Sequence, residues 1–236
     1  MTELPGYLAA AWGKQGKPTR GPKPALSLER VIAAGVSVAD AEGIEGLSMS
    51  RVATELGTKP MSLYRYISSK DELIALMLDR AGGPPPPMTA EDWRSGLELW
   101  SRSYLATLRA HPWIMRVPIT GPPATPNQLR WMEAGLRLAT GFAPGDAMAV
   151  LLLLSGYVRS WATLSADLES ANADPETMMV DYGAVLDAVV TESEFPELTK
   201  AIRAGVFTFD PDEDPDVDFV FGLERILDGA ESVRSD

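Results

Sequence analysis

The sequence contains no cysteine, which excludes disulfide frameworks, zinc–thiolate sites, iron–sulfur clusters and cysteine nucleophiles. It contains one histidine, His111, so a two-histidine metal motif is excluded and at most one imidazole base is available. Long hydrophobic runs are missing too. The most apolar run, Ala147 to Leu154, is too short to span a bilayer, and the N-terminus has no apolar signal core. A cytoplasmic location is therefore expected. No long segment alternates with the two-residue period of a strand. With 236 residues, 45% of them hydrophobic and 23% charged, the chain can bury a core as one large domain or two small ones.

Positive charge is in short supply. The 21 Lys+Arg against 33 Asp+Glu leave a net charge of −12, which argues against a nucleic-acid binder, since such affinity draws on cations that neutralise phosphates. The distribution reverses that inference. Residues 1–80 hold 10 basic and 9 acidic side chains, whereas residues 81–236 hold 11 and 24. The first 26 residues carry Lys14, Lys17, Arg20 and Lys23 against Glu3 alone. Such asymmetry implies two parts with different partners.

Breaks in the chain agree with that division. Gly82-Gly83-Pro84-Pro85-Pro86-Pro87 cannot continue a helix and reads as a short stiff linker. A second Gly/Pro cluster runs from Thr120 to Pro126, and an acidic stretch, Asp210 to Asp218, precedes the last helix. Asp210, Asp212 and Asp214 have the alternation of an EF-hand, but Pro215 stands in place of the required Gly and Phe221 in place of the closing Glu, so a solvated acidic loop is expected. The domains expected are a flexible basic arm over 1–26, a helical unit over 27–81 and a larger helical unit over 88–232.

Periodicity and caps predict roughly ten helices and an all-α fold. Ser27 caps the first, whose stripe is Val31, Ala34, Val38 and Ala41 and whose stop is Gly43. Ser48 caps Met49 to Leu56, which Gly57 ends. Thr58 caps a helix with Pro60 in its first turn that runs to about Tyr66. Ser69 caps Lys70 to Ala81, with Asp71 and Glu72 where the helix dipole favours acids. Later helices are expected near 90–110, 128–140, 146–170, 175–192, 197–204 and 217–230. His111, before Pro112-Trp113, reads as a helix C-cap.

Residues 48–66 carry the functional signal. Two short helices can cross steeply if the turn accepts a positive φ and the crossing residue is small, and Gly57 with Ala53 four residues earlier meets both needs. Val52, Leu56, Leu63 and Tyr66 would face the core. This is the helix-turn-helix pattern, whose second helix enters the major groove of DNA. Thr58, Lys59, Met61, Ser62, Tyr64 and Arg65 would project outward, and Lys70 sits at a helix N-terminus that favours an anion. Lys59 and Arg65 suit phosphates or guanine edges, Ser62 and Tyr64 suit phosphate oxygens, and Met61 suits a thymine methyl.

The run Gly46 to Gly57, followed by Ser62-Leu63-Tyr64-Arg65-Tyr66-Ile67 and Lys70-Asp71-Glu72-Leu73, resembles the tetracycline-repressor (TetR) family of bacterial regulators. The resemblance is specific over residues 27–80 and extends, more weakly, to Thr120–Thr163 and to Phe219–Gly229. It implies an N-terminal three-helix helix-turn-helix domain and a larger helical domain that binds an effector and dimerises. The DNA contacts it implies are Ser48, Arg51, Thr58, Lys59, Met61, Ser62, Tyr64, Arg65, Tyr66 and Lys70. The homodimer it implies pairs two late helices per subunit in a four-helix bundle. Val150, Leu153, Leu154 and Val158 form the apolar face expected of one, and Phe219, Leu223, Ile226 and Leu227 that of the other.

The likeness also implies a ligand cavity. Trp100, Tyr104, Trp131, Tyr157, Trp161, Met178 and Tyr182 fall on helices that line the family's cavity, which points to a small hydrophobic or aromatic effector. The family's tetracycline sensors place a metal-coordinating His and an Arg near the Gly/Pro loop. Here Val117 and Gly121 occupy those places and only Arg116 is close, which argues against a magnesium–tetracycline ligand and for no metal or cofactor. The function expected is a ligand-responsive repressor that binds a palindromic DNA operator as a homodimer. Two other classes remain open at this point: a helical protein-interaction module using the acidic face, and an enzyme. The latter would be restricted to carboxylate chemistry, for which no paired acids stand out.

Overall fold

The computed structural model describes residues 4–14, 26–170, 175–208, 210 and 214–234. Among them there are eleven α-helices, one 3-10 turn and no strand. The helices are α1 (Gly6–Ala11), α2 (Leu28–Glu42), α3 (Met49–Glu55), α4 (Pro60–Leu63), α5 (Lys70–Gly82), α6 (Trp93–Ala110), α7 (Pro126–Leu138), α8 (Pro144–Ser170), α9 (Pro175–Val189), α10 (Pro196–Arg203) and α11 (Val217–Glu231). The 3-10 turn, Pro112–Arg116, lies between α6 and α7. The architecture is all-α.

Three serines start the N-terminal helices as their spacing predicts. The Ser27, Ser48 and Ser69 hydroxyls accept from the amides of Arg30, Arg51 and Glu72. Each such cap is worth about 1 kcal/mol relative to alanine. Thr58 does not act as a cap: Lys59 holds that position without a side-chain bond, and α4 is a single turn that ends at Leu63 rather than reaching Tyr66. Proline at the first position and the compact turn over 64–66 leave no room for a longer helix. Asp92 caps α6 by accepting from the Ser95 amide at 2.8 Å, and that bond holds its carboxyl below the usual range.

The N-terminal helices pack around α5. Helices α1, α2, α6 and α7 all contact it, and α3 joins α2 to α4. Val31, Val38, Val52, Leu63, Leu73 and Met77 form the buried centre. Helix α2 approaches α5 closely because Gly35 lacks a side chain: a Cβ there would stand 2.6 Å from Met77 Sδ.

Two expectations change here. The expected flexible arm contains helix α1, which buries Leu8; its cations Lys17, Arg20 and Lys23 lie outside the described residues, as does Asp212 of the acidic loop. The Gly82–Pro87 run ends α5 as expected, with Gly83 at φ +54°, but it does not divide the chain into compact units. The two compact units are Met1–Thr163 with Arg225–Asp236, and Leu164–Glu224. In the first, polar contacts described below tie α2 and α5 to the segments beyond the linker. In the second, Leu186 is buried, Tyr182 meets Phe207 edge-on at 5.7 Å and Arg203 pairs with Glu192 at 2.7 Å.

The apolar run Ala147–Leu154 belongs to a much longer helix than the run itself. Within α8, a stretch from Pro144 to Glu169 is long and apolar enough to cross a membrane by length and composition, and 33% of its most apolar window is buried inside the fold.

Candidate nucleic-acid interface and inter-domain contacts

The turn between α3 and α4 has the geometry its residues require. Gly57 adopts φ +62°, where a Cβ would be strained by the backbone although nothing lies within 4 Å of it. Ala53 is 1% exposed at the crossing, and Val52 and Leu63 are fully buried beside it. Leu56 and Tyr66 are half-buried. The turn therefore fixes the angle of α4, and the face left outward carries the reading residues.

That face matches part of the expected set. Met61 is 75% exposed and Tyr64 47%. Lys59, Arg65 and Lys70 are exposed, and Thr58 and Ser62 are half-buried. A large exposed methionine and tyrosine side by side with cations is unfavourable for a surface that meets only water, and fits one that meets a groove.

Three expected contacts are held by the protein instead. Ser48 spends its hydroxyl on the cap of α3. The Arg51 guanidinium donates to Glu42 at 2.7 Å and to Glu55 at 2.9 Å, and these two bonds, Glu42 first, raise its pKa. The Tyr66 hydroxyl donates to the Leu26 carbonyl at 2.9 Å and anchors the entry to α2. Sequence spacing placed them near the interface correctly, but their polar atoms position α2, α3 and the turn.

The expected effector residues fall into separate groups. Trp100, Tyr104 and Trp131 stack as a trio with centroid separations of 5.5 to 6.0 Å, and Trp100 and Trp131 are buried. The Trp100 indole donates to the Trp131 carbonyl at 2.9 Å. Trp161 is half-buried on α8, while Met178 and Tyr182 stand on α9 in the other compact unit. Tyr157 departs from the expected role: it lines a shallow apolar depression on the outer face of α8 with Ala149, Leu152, Leu153, Gly156 and Ser160.

The expected dimer residues also change. Val150, Leu154, Val158, Phe219, Leu223 and Leu227 are each at most 5% exposed in the single chain, and Ile226 is half-buried. They belong to the protomer core. Of the eight, only Leu153 is open to a partner, at 55%. The exposed apolar residues are instead Met148, Leu152, Leu153 and Leu164 on α8 and Phe221 on α11. Helix α8 is apolar on both faces, so periodicity alone could not say which face turns inward.

Contacts that sequence reasoning missed join the reader to the segments after the linker. Asp40, near the end of α2, accepts from the Trp113 indole at 2.6 Å and pairs with His111 Nδ1 at 2.7 Å. His111 is the C-cap of α6, as expected, but this second role is long-range. The Asp79 carboxylate and carbonyl, in the last turn of α5, accept from the Asn127 amide (2.7 Å) and side chain (2.9 Å). The Trp131 indole donates to the carbonyls of Gly82 and Gly83 at 3.2 and 3.1 Å. No local signal marks these pairs, because each joins residues 48 or more apart in the chain.

Comparison with known proteins decides between the open classes. Residues 31–77 match the family described as "Bacterial regulatory proteins, tetR family", and residues 85–234 match "Tetracyclin repressor-like, C-terminal domain". The HTH-type transcriptional repressor DrrR1 of Streptomyces coeruleorubidus is 40% identical over 95% of this chain and 84% of its own. The chain belongs to the TetR family. It is a helix-turn-helix transcriptional repressor and not an enzyme. The tetracycline repressor protein class A from transposon 1721 of Escherichia coli is 29% identical over 86% of this chain and 90% of its own. Among solved structures, the Streptomyces coelicolor TetR family protein ActR in complex with actinorhodin superposes with a TM-score of 0.75 at 26% identity, over 91% of this chain and 99% of ActR. The two family matches meet across residues 78–84, where α5 ends on its glycines. Family membership also accounts for α8 as the long central helix of a regulatory domain.

Trp131 supplies a direct check on the link between the two parts. In W131F both glycine carbonyls lose their indole donor while the ring stays in place. A lost buried hydrogen bond costs about 1 kcal/mol, which lowers the melting temperature of a domain this size by about 2–4 °C. An unchanged transition in differential scanning calorimetry would show that the contact does not hold the linker.

Proposed function

We propose that the protein acts in the cytoplasm as a homodimer, binds a palindromic operator through two copies of α4, and is released from it by a small hydrophobic or aromatic effector. The observation that carries the DNA part is the outward set Lys59, Met61, Ser62, Tyr64, Arg65 and Lys70, held by the Gly57 turn. A twofold dimer presents two such faces to successive major grooves.

The exposed apolar residues of α8 and α11 support the dimer. Leu152 is 74% exposed and Phe221 62%. Gly156, exposed at the centre of the α8 depression, is a notch into which a partner helix can settle. The interface thus moves from the expected core residues to Met148, Leu152, Leu153, Leu164 and Phe221.

The trio Trp100, Tyr104 and Trp131 supports an aromatic effector. A flat apolar ligand that inserted among these rings would draw the Trp131 indole from the Gly82 and Gly83 carbonyls and loosen the end of α5. Binding would then favour a conformation unsuited to the operator, and differential affinity would release DNA. The ActR complex with actinorhodin shows that a relative of this fold holds such a compound.

Gel shift with the DNA upstream of the protein's own gene tests the reading. Retardation, followed by a footprint with twofold sequence symmetry, is expected. Retardation without symmetry would remove the dimeric operator, and no retardation would remove the assignment of α4.

A further inference from the structure

Helix α1 lies outside both family matches, yet it is built into the fold at each end. At its start, a Cβ on Gly6 would stand 3.7 Å from Glu72 Oε1. Glu72 is a buried carboxylate in the first turn of α5, and its other oxygen accepts from the Ser68 amide at 2.7 Å and from the Ser68 hydroxyl. Ser68 belongs to the short link between α4 and α5. Midway along α1, Leu8 is buried as the helix packs on α5. At its end, the Trp12 indole donates to the Ala124 carbonyl at 3.0 Å, across 112 residues. Ala124 closes the Gly/Pro loop and lies three residues before Asn127, which grips Asp79 in the last turn of α5.

The lengths agree. Six helical residues rise about 9 Å, close to the roughly 10 Å between Glu72 and Asp79 along α5. Helix α1 therefore parallels α5 from its DNA-side turn to its linker-side turn. One helix ending on two glycines can pivot there, whereas two parallel elements fixed at both ends resist pivoting.

We propose that α1 is a strap that couples the Ser68–Glu72 link, next to the recognition helix, to the loop over residues 117–125. Its weak point is Trp12, which is exposed and held by one neutral hydrogen bond. A net bond of that kind biases a two-state contact by about fivefold, so the strap can be released and re-formed. The proposal rests on the repressor reading above and adds a coupling path for it.

Hydrogen–deuterium exchange on the full chain tests it, with a duplex of the DNA upstream of its own gene as the probe. In the wild type, saturating DNA is expected to slow exchange at residues 117–125 by about fivefold. W12F keeps the ring and loses the donor, and L8A loosens the middle of α1. Both are expected to abolish that slowing while DNA affinity stays within about threefold of wild type, since neither touches the reading face. Equal slowing in the wild type and both variants, or none in a wild type that is bound to DNA, would overturn the strap. A wild type that does not bind the duplex would overturn the repressor reading, and the strap's coupling role with it.

Discussion

Replacing Leu152 with glutamate separates the dimer and abolishes operator binding, while the isolated chain stays folded. Leu152 is 74% exposed in the protomer, so the new carboxylate is solvated until a partner arrives. Association would then bring two like charges into an apolar contact near a twofold axis. Such a juxtaposition costs several kcal/mol, or about a thousandfold and more in self-association. Sedimentation should show a monomer with an unaltered helical circular dichroism spectrum. L154E is the contrast: Leu154 is fully buried, so a carboxylate there unfolds the helix packing rather than dividing two chains. A dimer that survives L152E would place the interface elsewhere. The pair also separates the exposed face from the expected one.

Alanine at Lys59 and Tyr64 together lowers operator affinity by about a hundredfold, at about 1–3 kcal/mol for each groove contact. Both side chains are exposed, so stability should remain within about 0.5 kcal/mol. The two substitutions differ in kind. Removing the Lys59 ammonium from each subunit of a dimer reduces the salt dependence of binding by about two phosphate equivalents, whereas removing the tyrosine leaves the salt slope unchanged. Titrations of K59A, Y64A and the double variant at several salt concentrations check both statements. Equal affinity and slope in all of them would withdraw α4 as the reader. R51A is expected to act differently. Arg51 bridges Glu42 and Glu55, so its loss weakens the packing of α2 against α3 before it weakens any phosphate contact.

The net charge of −12 is compatible with this function because it is not spread evenly. Long-range repulsion from an acidic regulatory part is screened over about 10 Å at moderate salt, while Lys59, Arg65 and Lys70 act at contact distance. An acidic surface away from the reader also disfavours binding to DNA through the wrong face.

Much of the reader was legible because its signals are local. A serine cap, a stripe of apolar residues and a glycine stop are set within one or two turns, which is why α2, α3 and α5 lie where their residues predict. Gly57 and Ala53 are equally local, since a turn's φ and its nearest crossing residue lie within four positions. Helix α1 escaped because six residues carry too little periodicity to rise above a Gly- and Pro-rich surrounding. The roles of Ser48, Arg51 and Tyr66 escaped for another reason: the same polar atoms suit a phosphate or a neighbouring helix equally well, and only the fold brings Glu42 and the Leu26 carbonyl to them.

By itself, the sequence determined an all-helical chain, a helix-turn-helix centred on Gly57 and an acidic part distinct from its reader, since caps, periodicity and charge are properties of neighbouring residues. Tertiary structure alone decided which face of α8 is core and which is open, because a helix that is apolar all round turns inward whichever side its neighbours cover. It also decided that Asp40, Asp79 and the Gly82–Gly83 carbonyls join the two parts. Each of those acceptors acquires its donor from a distant segment, and no local pattern encodes a contact between groups that meet only after the chain has folded.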